Sequence, residues 1–235
     1  MHTDVTTSLR DRIAEFTTNM AKNAPPEAIA TFTAELRKLA ESGIAKGALQ
    51  VGVKVPDFTL PDARGGTVSL SSLLAKGPAV VTFYRGGWCP FCDLQLRAYQ
   101  KVLPEIHRLG AELVAISPQT ADYATADAEK KQLDFPVLTD AHNDVARRYG
   151  LVFVLSDALK ALQTAFGSPI PKFNGDESWE LPMPGTFVLD RGGVVQLAHV
   201  DPDYTQRLEP AAILDALREV RSRDMEPARG ELNER

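Results

Sequence analysis

The stretch P-A-V-V-T-F-Y-R-G-G-W-C-P-F-C, residues 78–92, decides the fold. Pro78 to Tyr84 is short, apolar and rich in β-formers, the texture of a central strand buried on both faces. Arg85-Gly86-Gly87-Trp88 reads as a loop. A helical pattern then runs from Cys89 to about Leu109, with Leu94, Ala98, Val102 and Ile106 as its expected inward face. A strand that ends in a glycine loop and hands over to a helix puts Cys89 at the helix N-terminus and Cys92 one turn further on.

That placement has chemical consequences. The first turn of a helix offers unpaired N–H groups and a partial positive charge. Both favour thiolate over thiol, so Cys89 is expected to titrate below the ordinary value of about 8.5. Cys92 is placed to attack a mixed disulfide or a sulfenic acid on Cys89 and close an intramolecular disulfide. Pro90, at the first turn, costs no hydrogen bond and stiffens the link between the sulfurs. Two other readings stand beside this one. The cysteines could be buried and inert, or they could bind zinc, for which only His2, His107, His142 and His199 are available, none at finger spacing. Arg85 reads equally as a guanidinium that lowers a thiol pKa and holds a peroxide or carboxylate oxygen, or as a salt-bridge residue. Trp88 reads equally as a wall beside the sulfur or as core packing.

Outward from this centre the chain alternates strands and helices. Asp57 to Leu70 reads as a β-hairpin around Gly65-Gly66. Glu112 to Ile116 and Phe135 to Leu138 read as strands, and Ala121 to Lys131, Asn143 to Tyr149 and Ser156 to Phe166 as helices. The stretch from Gly167 to Pro184 reads as a long loop. Thr186 to Leu189 and Val194 to Ala198 flank the turn Asp190-Arg191-Gly192-Gly193, and Pro210 to Val220 reads as a last helix. The order predicts an α/β fold with a mixed sheet flanked by helices. Ahead of it, Leu9, Ile13, Phe16 and Met20 form one apolar stripe and Ile29, Phe32, Leu36 and Leu39 another. The expected division is a helical hairpin over 1–47, the main domain over 48–223 and a polar tail over 224–235. An exposed stripe on the first helix would favour a homodimer. His199 with Asp201 is a further candidate acid–base pair.

Composition narrows the function. The 235 residues carry 26 Lys and Arg against 31 Asp and Glu, a net charge of −5, so no basic surface invites nucleic acid or an anionic membrane. No apolar run reaches the roughly 18 residues of a membrane span. Residues 1–20 lack the pattern of a signal peptide. A lone C-x-x-C beside βαβ patterning reads as redox chemistry in a cytoplasmic protein.

Four stretches then carry a resemblance: V-G-V-K-V-P-D-F-T-L-P-D (51–62), T-F-Y-R-G-G-W-C-P-F-C (82–92), F-P-V-L-T-D (135–140) with A-R-R-Y-G (146–150), and G-T-F-V-L-D-R-G-G-V-V (185–195). Together they resemble the alkyl hydroperoxide reductase and thiol-specific antioxidant family, the peroxiredoxins of the thioredoxin superfamily. They look most like its bacterial branch with an R-G-G-W-C-P-[FY]-C signature. The resemblance implies a thioredoxin-like fold with an N-terminal helical extension. It implies a thiol-dependent peroxidase acting on hydrogen peroxide or organic hydroperoxides, with Cys89 as the peroxidatic and Cys92 as the resolving cysteine. Pro184 matches the cis-proline of thioredoxin-like relatives. No metal, haem or flavin cofactor is implied, because electrons arrive from a thioredoxin-like protein or a low-molecular-weight thiol.

The chain also departs from the family. Peroxiredoxins place a Pro seven residues and a Thr or Ser three residues before the peroxidatic cysteine, and an Arg ahead of the late strand. Counted from Cys89 those positions hold Thr82 and Gly86, and the Arg position holds Pro184. The C-x-x-C with Pro184 is similar to a thioredoxin-type disulfide exchanger. A redox switch or binding module without turnover is the third possibility.

Overall fold

The computed structural model describes residues 7–225. Residues 1–6 and most of the tail read at 224–235 lie outside the described residues. In chain order the elements are α1 (Leu9–Asn23), α2 (Pro26–Glu41), β1 (Thr59–Pro61), β2 (Thr67–Ser69), α3 (Leu70–Leu74), β3 (Ala79–Phe83), α4 (Pro90–Arg108), β4 (Glu112–Ser117), α5 (Ala121–Lys131) and β5 (Val137–Thr139). There follow α6 (Asp144–Arg148), β6 (Val152–Val154), α7 (Asp157–Ala165), α8 (Ile170–Asn174), β7 (Glu180–Pro182), β8 (Gly185–Leu189), β9 (Val195–Val200) and α9 (Pro210–Met225).

The apolar run around residue 80 is the centre of a five-stranded sheet ordered β5-β4-β3-β8-β9. Every residue of β3 is buried. It pairs parallel with β4 and antiparallel with β8, so the sheet is mixed. Alternation along β3 sends Val80 to a core shared with α1, α4, α5 and α9. Val81 and Phe83 go to a second core under α3 and α6. Thr82 and Tyr84 therefore face α4, the helix that carries the cysteines. The burial of α4 is broader than the expected stripe. Ala98 and Ile106 are buried as expected, but Phe91, Gln95, Leu96, Tyr99 and Leu103 are buried too. The helix is covered by the sheet on one side and by α1 and α9 on others.

The segment 167–184 is not a loop. It contains α8, and its end forms β7, which pairs antiparallel with β6. Three-residue strands give too short a pattern to read from sequence. Gly150 marks where the chain after α2 joins the main fold: its φ is +72°, and a Cβ there would lie 2.0 Å from the Gly47 carbonyl oxygen. The adjacent Leu49 N–H donates to the Tyr149 carbonyl at 3.1 Å. Gly150→Ala is expected to destabilise the protein by more than about 1 kcal/mol. In a thermal melt this reads as a Tm drop of at least about 2 °C.

The two N-terminal helices do not close on one another as a self-contained hairpin. Helix α1 packs on α4, with Leu9 and Ile13 buried and Phe16 edge-on to Phe91 at 5.3 Å. Burying side chains of this size contributes about 1.5–3 kcal/mol each. The stripe considered as a dimer face is thus largely spent inside the chain. Ser8 caps α1 through the Asp11 N–H, and the Glu209 carboxylate accepts from the N–H groups of Leu9 and Arg10 at 3.2 and 2.7 Å. Helix α2 packs on α7, where Phe32 stacks on Phe166 at 6.2 Å.

Candidate active site

The loop between β3 and α4 is built for close approach. Gly86 has φ +146°, and a Cβ on it would lie 2.3 Å from Trp88 Nε1. A Cβ on Gly87 would lie 1.5 Å from an Asp127 carboxylate oxygen, so two glycines are required here. The Gly87 N–H donates to Gln119 Oε1 at 2.7 Å, and Lys131 Nζ donates to the Gly87 carbonyl at 3.3 Å. Cys89 is the N-cap of α4, with extended backbone and Pro90 in the first turn. Cys92 sits at the third helical position. Both are free thiols, 1% and 0% exposed.

The charge distribution between them differs from the expectation. Burial pushes the Cys89 thiol well up, and its hydrogen bond to Cys92 and the negative charge there add to the rise. The guanidinium groups of Arg85 and Arg207 oppose it only in part. At Cys92 burial also acts upward, yet it is outweighed by the hydrogen bond from the Cys89 thiol, the charges of Arg207 and Arg85, and the Arg85 backbone N–H. The Cys92 thiol is therefore held below the ordinary range. The helix N-terminus and Arg85 were the positive fields legible in the sequence, and both act on the two cysteines alike. The deciding cation comes from elsewhere.

That cation is Arg207, on the 201–209 connection between β9 and α9. Its Nη2 donates to Cys92 Sγ at 3.5 Å, its Nε to the Tyr204 carbonyl at 2.7 Å and its Nη1 to Gln95 Oε1. Gln95 is 2% exposed and turns its oxygen to Arg207 because its nitrogen is committed below. Gln95 Nε2 donates to Tyr99 Oη at 3.1 Å, Thr186 Oγ1 at 3.2 Å and Thr82 Oγ1 at 3.3 Å. Thr82 and Thr186 lie opposite each other on β3 and β8, their hydroxyls 2.9 Å apart. Tyr99 Oη donates to the Leu208 carbonyl at 3.1 Å, which closes the network onto the connection that carries Arg207. A buried polar network with its members paired in this way fixes geometry. Sequence reasoning missed Arg207, Gln95 and Thr186. Hydroxyl residues at matching places in two otherwise apolar strands, and a Gln one turn after Cys92, were the available signals.

Arg85 is 4% exposed and forms no surface ion pair, but its charge pulls both thiol pKa values down, the first of the two readings considered for it. Its guanidinium carbon lies 5.0 Å from the Trp88 ring centre and 4.4 Å from that of Tyr204. Among the described residues its Nε has no hydrogen-bond partner. Trp88 is both wall and packing: it stacks on Phe173 at 6.2 Å and joins a small core with Leu155, Ile170 and Leu181. Pro184 is buried one residue before Gly185, which pairs with Phe83 at the cysteine end of the sheet. The Met183–Pro184 peptide is trans, as are all the described peptides, so the expected cis-proline is not formed. His199 is held below its usual pKa by burial. Asp201 accepts from the Asp203 N–H at 2.8 Å, and His199 Nε2 has no partner among the described residues, so the two do not form an acid–base pair.

The chain is similar to known proteins over most of its length. The profile of the AhpC/TSA family matches residues 51–198. Chloroplastic peroxiredoxin Q of Triticum aestivum is 36% identical over 173 residues, covering 74% of this chain and 69% of that protein. The corresponding protein of Sedum lineare is 34% identical over 164 residues, covering 70% and 73%. Among solved structures, peroxidoxin BcpB from Mycobacterium tuberculosis superposes with a TM-score of 0.58 at 26% identity, over 73% of this chain and 97% of that one. The reduced 2-Cys peroxiredoxin of Plasmodium vivax shares the fold, with a TM-score of 0.57 over 76% and 100% at 18% identity. On the profile match and these relatives, the chain belongs to the AhpC/TSA family, the peroxiredoxins, which are thiol peroxidases.

Proposed function

We propose that the Cys89–Cys92 pair reduces hydroperoxides and closes a disulfide in each turnover. The observation that carries this reading is the Arg207 guanidinium on Cys92 Sγ. It stabilises a thiolate, the nucleophilic form of cysteine, beside a second thiol that stays protonated. The Cys92 thiolate attacks the terminal oxygen of the hydroperoxide, the O–O bond breaks, and the Cys89 thiol protonates the departing alkoxide. The products are Cys92 sulfenic acid, an alcohol or water, and a Cys89 thiolate. That thiolate attacks the sulfenic sulfur, hydroxide leaves as water after taking up a proton, and the disulfide forms.

In this reading the roles of the two cysteines are reversed from those that the resemblance implied. Counted from Cys92, the family position three residues earlier, a Thr or Ser hydroxyl, is Cys89, and the position seven earlier is Arg85. Cys89 then stands where a hydrogen-bond donor stands in the family, and Arg207 supplies the guanidinium that the position of Pro184 lacks.

Burial of both sulfurs favours small substrates over protein disulfides. It likewise favours a low-molecular-weight thiol over a thioredoxin-like protein as the electron donor. The cysteine economy supports a cytoplasmic location, although both plant relatives carry chloroplastic in their names. No helix among the described residues is long and apolar enough to cross a membrane. The test is stoichiometric. One equivalent of hydrogen peroxide added to the reduced protein is expected to remove both free thiols and yield one intramolecular disulfide by mass. Two thiols surviving the peroxide would overturn the reading.

A further inference from the structure

Arg207 stands on the connection 201–209, which contains no helix or strand. A guanidinium on irregular backbone keeps its place only as well as that backbone is tied down. Helix α4 supplies one tie, from Tyr99 Oη to the Leu208 carbonyl at 3.1 Å. Helix α1 grips the connection on both sides of Arg207. Beyond it, the Glu209 carboxylate accepts from the N–H groups of Leu9 and Arg10 at 3.2 and 2.7 Å. Before it, the Tyr204 ring lies 5.3 Å from Phe91, which lies 5.3 Å from Phe16 on α1. Between the two grips, Arg207 Nε donates to the Tyr204 carbonyl at 2.7 Å. We propose that α1 is a clamp on this connection, and that Glu209 is the positioning residue that keeps Arg207 against Cys92. This rests on the reading above, in which Arg207 stabilises the Cys92 thiolate.

Two features separate this role from simple helix capping. Helix α1 already has a local cap in Ser8 and an acidic residue, Asp11, in its first turn. What a carboxylate 200 positions away adds is a tie between α1 and the connection. It is a firm one, because a carboxylate on backbone N–H groups makes charge-assisted bonds and the burial of Leu9 and Ile13 fixes α1 itself. Second, α1 acts on Cys92 through other residues. The groups that set the acidity of Cys92 are Cys89, Arg207 and Arg85, none of them on α1. The cavity of about 330 Å³ between α1, α2 and the head of α4 reaches Cys89 but not Cys92. Both α1 and Arg207 lie outside residues 51–198, which the family profile matches.

The experiment titrates the reduced full chain and its Glu209→Ala variant against pH, reading the ultraviolet absorbance of the thiolate. Its sign is decisive. A carboxylate's own negative charge disfavours a thiolate, so removing that charge alone would move the Cys92 curve to lower pH. Releasing Arg207 moves it to higher pH, and this upward shift is the expected result. In an Arg207→Met background the same substitution is expected to add nothing, since its effect passes through Arg207. Glu209→Gln, which keeps one acceptor oxygen, should recover part of the parent curve. Phe16→Leu loosens the other grip and should shift the curve the same way; it serves as the test should Glu209→Ala fail to fold. A curve that Glu209→Ala leaves in place or moves downward, while Arg207→Met moves it upward, would overturn the clamp and leave the Arg207 reading standing. A curve that neither substitution moves overturns both.

Discussion

Cys92→Ser is expected to abolish fast peroxide reduction, while Cys89→Ser is expected to retain its first step. In Cys92→Ser the remaining thiol is the one that burial pushes up, so little thiolate exists at pH 7. The single-turnover rate should therefore fall with the thiolate fraction, since burial of the remaining thiol still opposes its ionisation. In Cys89→Ser the Arg207 contact to Cys92 remains, and the new hydroxyl can still donate a proton. That variant should consume one equivalent of hydroperoxide and stop at sulfenic acid, which dimedone traps and intact mass detects. The opposite pattern, with Cys89→Ser inert and Cys92→Ser fast, would return the nucleophilic role to Cys89.

Arg207→Met should move the titration of Cys92 upward. A hydrogen bond to a charged group is worth about 1.5–3 kcal/mol, and its loss acts in the upward direction. The direction in pH follows from the sign of the shift. In the parent, thiolate and rate persist as pH falls through the ordinary thiol value of about 8.5, and are lost only at the depressed pKa of Cys92. In the variant the loss begins nearer the ordinary value, so the two rates converge at high pH and separate most below neutrality. Absorbance of the thiolate at 240 nm, followed against pH, checks this without turnover. A titration curve that the substitution leaves in place would remove Arg207 from the site.

The division between what the sequence disclosed and what it concealed follows the range of the interactions. The β3 strand, the glycine loop and Cys89 at a helix start are local: each is fixed by neighbours a few residues away. The closing hairpin at Asp190–Gly193 was legible for the same reason. The stripe Leu94-Ala98-Val102-Ile106 was only half right, because a helix covered on several sides has no single apolar face. The pairing of β6 with β7 and the helix α8 were hidden in elements of three and five residues. The reversal of the two thiol pKa values was beyond local reading altogether. It draws on the hydrogen bond between the two sulfurs and on Arg207, 115 positions from Cys92, and nothing in the pattern around residue 207 announces a partner.

The Glu209 carboxylate that caps α1 bears on how far a shared motif can be trusted. It spans 200 positions to reach Leu9, and within two residues of it lies Arg207. Trimmed to residues 51–198, which the family profile matches, the chain would keep both cysteines, the glycine loop and most of the sheet. It would lose the cation that charges one sulfur and both helices over the other. Two proteins with the same R-G-G-W-C-P-F-C can therefore own dithiols of different acidity.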